Sequence, residues 1–117
     1  MAMTIQDKVL KKGEDDWVYL AEVASLVRQE MPDASEPTVV ECTLRILREL
    51  AEAGLVVIGD LSGTEGSFTP WRLSTTEALK RVRDEWAALK TPVNLGDVGW
   101  LSNTPDGDQR AGSLPNF

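Results

Sequence analysis

Few side chains in this sequence can do chemistry, and their spacing gives most of them quieter roles. There is no His among the 117 residues, which excludes a catalytic triad, an imidazole base and a His metal ligand. Cys42 is the one Cys. It has no His to make it a thiolate nucleophile and no second Cys for an internal disulfide. On a helical pattern with Val39 and Ile46 it reads as a small buried hydrophobe. Asp106-Gly107-Asp108 looks like a fragment of a calcium loop, but the full loop spacing and its closing Glu are absent, so a solvated turn is expected. Glu14-Asp15-Asp16 reads as a charged loop between helices. Gly63 and Gly66 sit in no phosphate-cradling G-x-x-x-x-G-K-[ST] and serve as loop punctuation. No spacing among the 19 Asp+Glu singles out a carboxylate pair for acid–base work. The sequence therefore assigns no catalytic, metal or cofactor residue and points away from an enzyme.

What remains is binding, and charge bounds its kind. Twelve Lys+Arg against 19 Asp+Glu give a formal charge of −7, which disfavours a general phosphate-backbone binder. Hydrophobic residues at 42% and charged residues at 26% are ordinary for one globular domain. No apolar run approaches the roughly 20 residues needed to cross a bilayer, and the N-terminus lacks the basic-then-apolar order of a signal peptide. A cytoplasmic protein without membrane contact is expected. Tryptophan is the informative excess: Trp17, Trp71, Trp86 and Trp100. Trp86 falls on a buried helical stripe, and Trp17 and Trp71 fall on candidate strands, where aromatic rings pack across a sheet. Trp100 is either an anchor for its own segment or an exposed hot spot for a partner.

The elements that must position these residues follow from periodicity and caps. Thr4 with Asp7 reads as a capping box for a short first helix over residues 4–12, closed by Gly13. Trp17-Val18-Tyr19 has strand propensity. Leu20, Val23, Leu26 and Val27 then form a helical stripe that ends at Met31-Pro32. Ser35 and Pro37 start a third helix over residues 36–53, whose wide stripe includes Val40, Leu44, Leu47 and Ala51. Gly54 closes it. Leu55-Val56-Val57-Ile58 and residues 68–73 predict a β-hairpin, with Pro70 marking an edge or bulge. Ser74-Thr75-Thr76-Glu77 caps a last helix that carries Leu79, Val82, Trp86 and Leu89 and ends at Thr91-Pro92. Three domain segments result: residues 1–90 as the folded domain, 91–102 as a docked extension, and 103–117 as a mobile tail rich in Asn, Pro, Asp, Gly and Ser.

This order of elements resembles the winged helix-turn-helix superfamily over residues 4–89. The resemblance is carried by Leu20-Ala21-Glu22-Val23, by Leu44-Arg45-Ile46-Leu47-Arg48-Glu49-Leu50, and by Ala53-Gly54-Leu55-Val56-Val57-Ile58 leading into the wing. It implies an α+β, mainly α fold with a β-hairpin wing and an added C-terminal helix. It also implies, for a DNA-binding member, that Arg45 and Arg48 on the third helix touch bases or phosphates and that residues 63–67 form the wing tip. The sequence departs from that pattern in charge. Arg45 and Arg48 face Glu36, Glu41, Glu49 and Glu52 on the same helix, and the wing carries Glu65 without a base. The leading expectation is accordingly a small acidic binding protein acting through protein contacts, in an accessory, inhibitory or immunity-type role, with a basic protein as partner. A DNA-binding regulator reading through Arg45 and Arg48 is the alternative. Homodimerisation through the last helix or the extension is a third option.

Overall fold

A computed structural model describes residues 3–62, 67–89 and 98–115. The described fold is α+β and mainly helical, in the order α1 (Ile5–Lys12), β1 (Val18–Tyr19), α2 (Leu20–Glu30), α3 (Glu36–Glu52), β2 (Val56–Ser62), β3 (Ser67–Pro70), α4 (Thr75–Ala88), β4 (Trp100–Asn103) and α5 (Pro105–Gly112). The four strands form one sheet in the order β1-β4-β2-β3, with every neighbouring pair antiparallel.

Local chemistry accounts for most helix ends. Thr4 Oγ1 accepts from Asp7 N–H at 3.1 Å, but the Asp7 carboxylate goes to Arg110 instead of returning to the cap. Gly13 is right-handed at φ −76°. Its small size is used differently from a left-handed cap, because a Cβ there would run into the Asn103 side chain. Ser35 precedes α3, yet its hydroxyl meets Thr38 Oγ1 rather than a backbone N–H. Gly54, at φ +73°, does supply the left-handed turn that ends this helix.

The capping box of α4 is complete. Ser74 Oγ accepts from Glu77 N–H, and Glu77 Oε1 accepts from Ser74 N–H. The Ser74 backbone N–H, and then its hydroxyl, hold the Glu77 carboxyl below the usual carboxylate range. A carboxyl lowered in the folded state contributes stability that is complete above its unfolded-chain value near 4.5. That contribution is lost as pH falls through the folded-state value. Thermal melts of Glu77→Gln should therefore lie below wild type at neutral pH, with the gap closing on acidification. A gap that does not change with pH would refute the assignment.

The core lies between the helices and one face of the sheet. Val18, Leu101 and Ile58 form a row across β1, β4 and β2 and are all buried. Leu10, Leu20 and Leu47 pack with them from the first three helices, and Leu79, Val82 and Trp86 from α4. Each fully buried side chain of this size is worth about 1.5–3 kcal/mol against exposure. The opposite sheet face carries Tyr19 beside Trp100, with ring centroids 5.2 Å apart.

The C-terminal stretch differs from the expected docked extension and mobile tail. Residues 100–103 form β4, an inner strand between β1 and β2. Residues 105–112 form α5, which packs on α1. The residues that suggested looseness serve as helix punctuation. Thr104 Oγ1 caps Gly107 N–H at 3.0 Å, Pro105 opens the first turn, and Ala111 is fully buried. Arg110 pairs with Asp7 at 3.1 Å, and Lys11 Nζ donates to Ala111 O at 3.3 Å. Asn103 Nδ2 donates to Leu10 O at 2.9 Å, which satisfies a carbonyl at the end of α1. Thr91-Pro92 and the rest of residues 90–97, like residues 116–117, lie outside the described residues.

Candidate functional site

Arg45 and Arg48 both lie on the exposed side of α3. They share it with Glu41, Glu49 and Glu52, which are also exposed. Two of these carboxylates already have partners on other helices: Arg83 of α4 bonds Glu41 through both oxygens, and Gln6 of α1 donates to Glu49. The Arg83 hydrogen bond holds the Glu41 carboxyl below its ordinary range; burial opposes it, and the charges of Arg83 and Arg48 add to the lowering. Arg45 and Arg48 enter no ion pair among the described residues. The Arg45 guanidinium lies 3.8 Å from Cys42 Sγ, which lies 3.9 Å from Met31 Sδ. Cys42 is half-buried at the margin of the apolar stripe rather than a core residue, because its helical position lies between the buried Ile46 and the exposed Glu49. The wing residues Gly63, Glu65 and Gly66 lie outside the described residues.

Most other bases are neutralised within the fold. Lys8, Lys11, Lys12, Arg28, Lys80, Arg81, Arg83 and Arg110 each reach a carboxylate. Two of these pairs, Lys80–Asp84 and Arg81–Glu85, are the i,i+4 contacts expected along α4, both at 2.7 Å. Arg81 also approaches Asp60 at 3.8 Å and stands over the Trp71 ring, 3.9 Å from its centroid. Such exposed pairs add little stability. Their functional effect is larger, since a base already facing a carboxylate is a poor phosphate clamp.

The tryptophans are placed differently from one another. Trp86 is core. Trp100 is half-buried on β4, opposite Tyr19 on one side and Gly59 on the other. Trp71 follows β3 rather than lying within it, although its N–H still donates to Ile58 O at 3.0 Å. Its Nε1 is buried and has no hydrogen-bond partner among the described residues. Trp17 precedes β1 and is 36% exposed. Its N–H donates to Asp16 Oδ1 at 2.8 Å. With Gly13, Glu14, Asp15 and Asp16 it lines an open hollow of about 290 Å³. Lys11 reaches Glu14 at 3.0 Å, and no described base pairs with Asp15 or Asp16. Sequence reasoning treated the acids and Trp17 separately, as loop and strand. Their adjacency in the chain was the available signal.

No family model, curated protein or solved structure matches this chain. The remaining sequence motif dissolves into structure: Asp106, Gly107 and Asp108 occupy the first turns of α5. Among the described residues, no group of three or more His, Cys, Asp or Glu is placed to hold a metal ion. No described helix is long and apolar enough to cross a membrane.

Proposed function

We propose that the chain is a cytoplasmic protein-binding module that takes a basic protein segment on the hollow of residues 13–17, without catalysis. The observation that carries this reading is Trp17, exposed beside three carboxylates while most bases elsewhere are internally neutralised. An exposed indole offers both a large apolar contact and a π face for a Lys or Arg head group. The carboxylates beside it would steer such a partner inward at low salt. The order α1-β1-α2-α3-β2-β3 supports a winged-helix type of core, with α4 as the added helix. On that reading β4 is a departure, because it stands between β1 and the hairpin.

An array of Lys- and Arg-rich peptides tests the proposal. A subset should bind the full chain, weaken with added salt, and lose about tenfold or more in affinity to Trp17→Ala and to Asp15→Asn/Asp16→Asn. Undiminished binding by both variants would overturn the reading. The second reading, DNA recognition through α3, is favoured by one observation: Arg45 and Arg48 are exposed and enter no ion pair among the described residues. Selection from random duplex DNA should then return a sequence whose binding is lost in Arg45→Ala/Arg48→Ala. Failure to enrich any sequence would remove it.

A further inference from the structure

The face of the sheet turned away from the core is apolar where an antiparallel sheet ordinarily turns polar side chains to water. Side chains alternate along a strand, so the buried row of Val18, Leu101 and Ile58 sends its neighbours to the other side. Tyr19, Trp100, Gly59 and Pro70 stand opposite one another there, across all four strands. Leu61 beside Phe68 and Val57 beside Ser102 extend the face in the two strand directions. Ser102 aside, these residues are aromatic, aliphatic, Pro or Gly, and none is charged. Val57 and Pro70 are exposed, and the rings of Tyr19, Phe68 and Trp100 are half-buried. The rings make one strip. Tyr19 and Trp100 lie 5.2 Å apart, and a Cβ at Gly59 would come within 2.8 Å of Phe68 Cζ, so the Phe68 ring spans that position. All five described helices send their buried residues into the core on the opposite side, and none of them covers this strip.

Size, charge and hydrogen bonding select what can cover such a face. Strand spacing and rise give it roughly 19 by 17 Å, or about 300 Å². A stable dimer needs about 800 Å² from each copy, and two copies would also bring together two charges of −7. The described strands hold no Lys or Arg for a nucleic-acid backbone. An extended peptide laid on the face would leave its N–H and C=O groups against rings and methyl groups. A helix satisfies those groups itself, and one of about 12 residues, about 18 Å long and 10 Å wide, matches the dimensions. We propose that this face docks a short amphipathic helix of a partner protein, apolar side down, with Lys or Arg in its last turn. The apolar contact stands on the sheet alone, whereas the basic end rests on the reading of the Trp17 hollow as a cation site. Trp17 precedes Tyr19 by two residues, about 7 Å of extended chain, so bases at one end of the docked helix reach Asp15 and Asp16. The negative end of the helix dipole favours bases in that last turn.

Selection of binders to the full chain from a displayed library of random peptides of about 12 residues, followed by affinity measurements on the winners, tests it. Winners should carry apolar residues at i, i+3, i+4 and i+7 and Lys or Arg near the C-terminus. Val57→Asp and Val57→Lys should each weaken them about tenfold or more, because both set a charge under the apolar side. Val57 is exposed, and near-UV circular dichroism checks that each variant keeps its fold. Tighter binding to Val57→Asp would show the contact to be one of charge alone and overturn the proposal. Apolar residues at every second position, or no winners at all, would overturn it too. A dimer in sedimentation velocity that Val57→Lys dissolves would give the face to a second copy instead. Winners weakened by Trp17→Ala and Asp15→Asn/Asp16→Asn but by neither Val57 variant would leave the hollow standing and end this proposal. Winners weakened by the Val57 variants alone would keep the docked helix and remove the hollow.

Discussion

Ending the chain after residue 97 is expected to abolish its cooperative unfolding transition. The truncation removes β4, which among the described residues is the only strand paired with β1 and one of the two strands paired with β2. Val98, Leu101 and Ala111, all buried, leave the core. Val18 and Ile58 lose Leu101, the residue that stands between them. Asn103 no longer satisfies Leu10 O, and Arg110 no longer meets Asp7. Domains of this size are stable by only about 5–15 kcal/mol, and losing an inner strand with its apolar contacts exceeds that margin. Leu101→Ala, which keeps the strand, should cost about 2–5 kcal/mol. Urea unfolding followed by tryptophan fluorescence and near-UV circular dichroism measures both. A truncated chain with a full-amplitude, sharp transition would show residues 98–115 to be an appendage.

Gly107→Ala is expected to destabilise the protein, although local propensity argues the reverse. In an exposed helix, Ala in place of Gly gains about 1 kcal/mol. In the docked α5 the new Cβ would run into Leu55 O, a backbone atom that also accepts from Thr104 N–H. The carbonyl cannot rotate away without breaking that bond, so α5 must lift away from Leu55. A loss of about 1–3 kcal/mol follows, the usual range for overpacking. Gly112→Ala is the control. Its Cβ would stand 3.8 Å from the end of the flexible Glu14 side chain, so at this exposed helix end the change should be neutral or stabilising by up to about 1 kcal/mol. Equal effects of the two substitutions on the urea midpoint would refute the docking of α5.

These two expectations concern the part of the chain that local reading placed least well. The stripe on α3, the Ser74–Glu77 cap of α4 and the left-handed Gly54 were legible because each is settled within about four residues of itself. Pro70 on the edge strand β3 was legible for the same reason, since a residue without an N–H has few places in a sheet. Thr104-Pro105 was equally local as a helix start, but Gly107, Asp108 and Gly112 around it lower helix propensity and suggested a loose chain. Only docking on α1 and against Leu55 makes that segment a helix.

The candidate sites divide in the same way. Arg45 and Arg48 were placed on an exposed helical face by spacing alone, and the acidic neighbours that compromise the face as a phosphate binder were visible beside them. That Glu41 and Glu49 are already engaged depends on Arg83 and Gln6, each more than 40 residues away, and no local pattern reports such a pairing. Periodicity, caps and composition determined the first four helices, the hairpin and the sign of the charge, because each is a property of neighbours along the chain. The tertiary structure decided that β4 is an inner strand, that most of the bases are internally paired and that a hollow remains open beside Trp17, because these depend on contacts between residues distant in sequence.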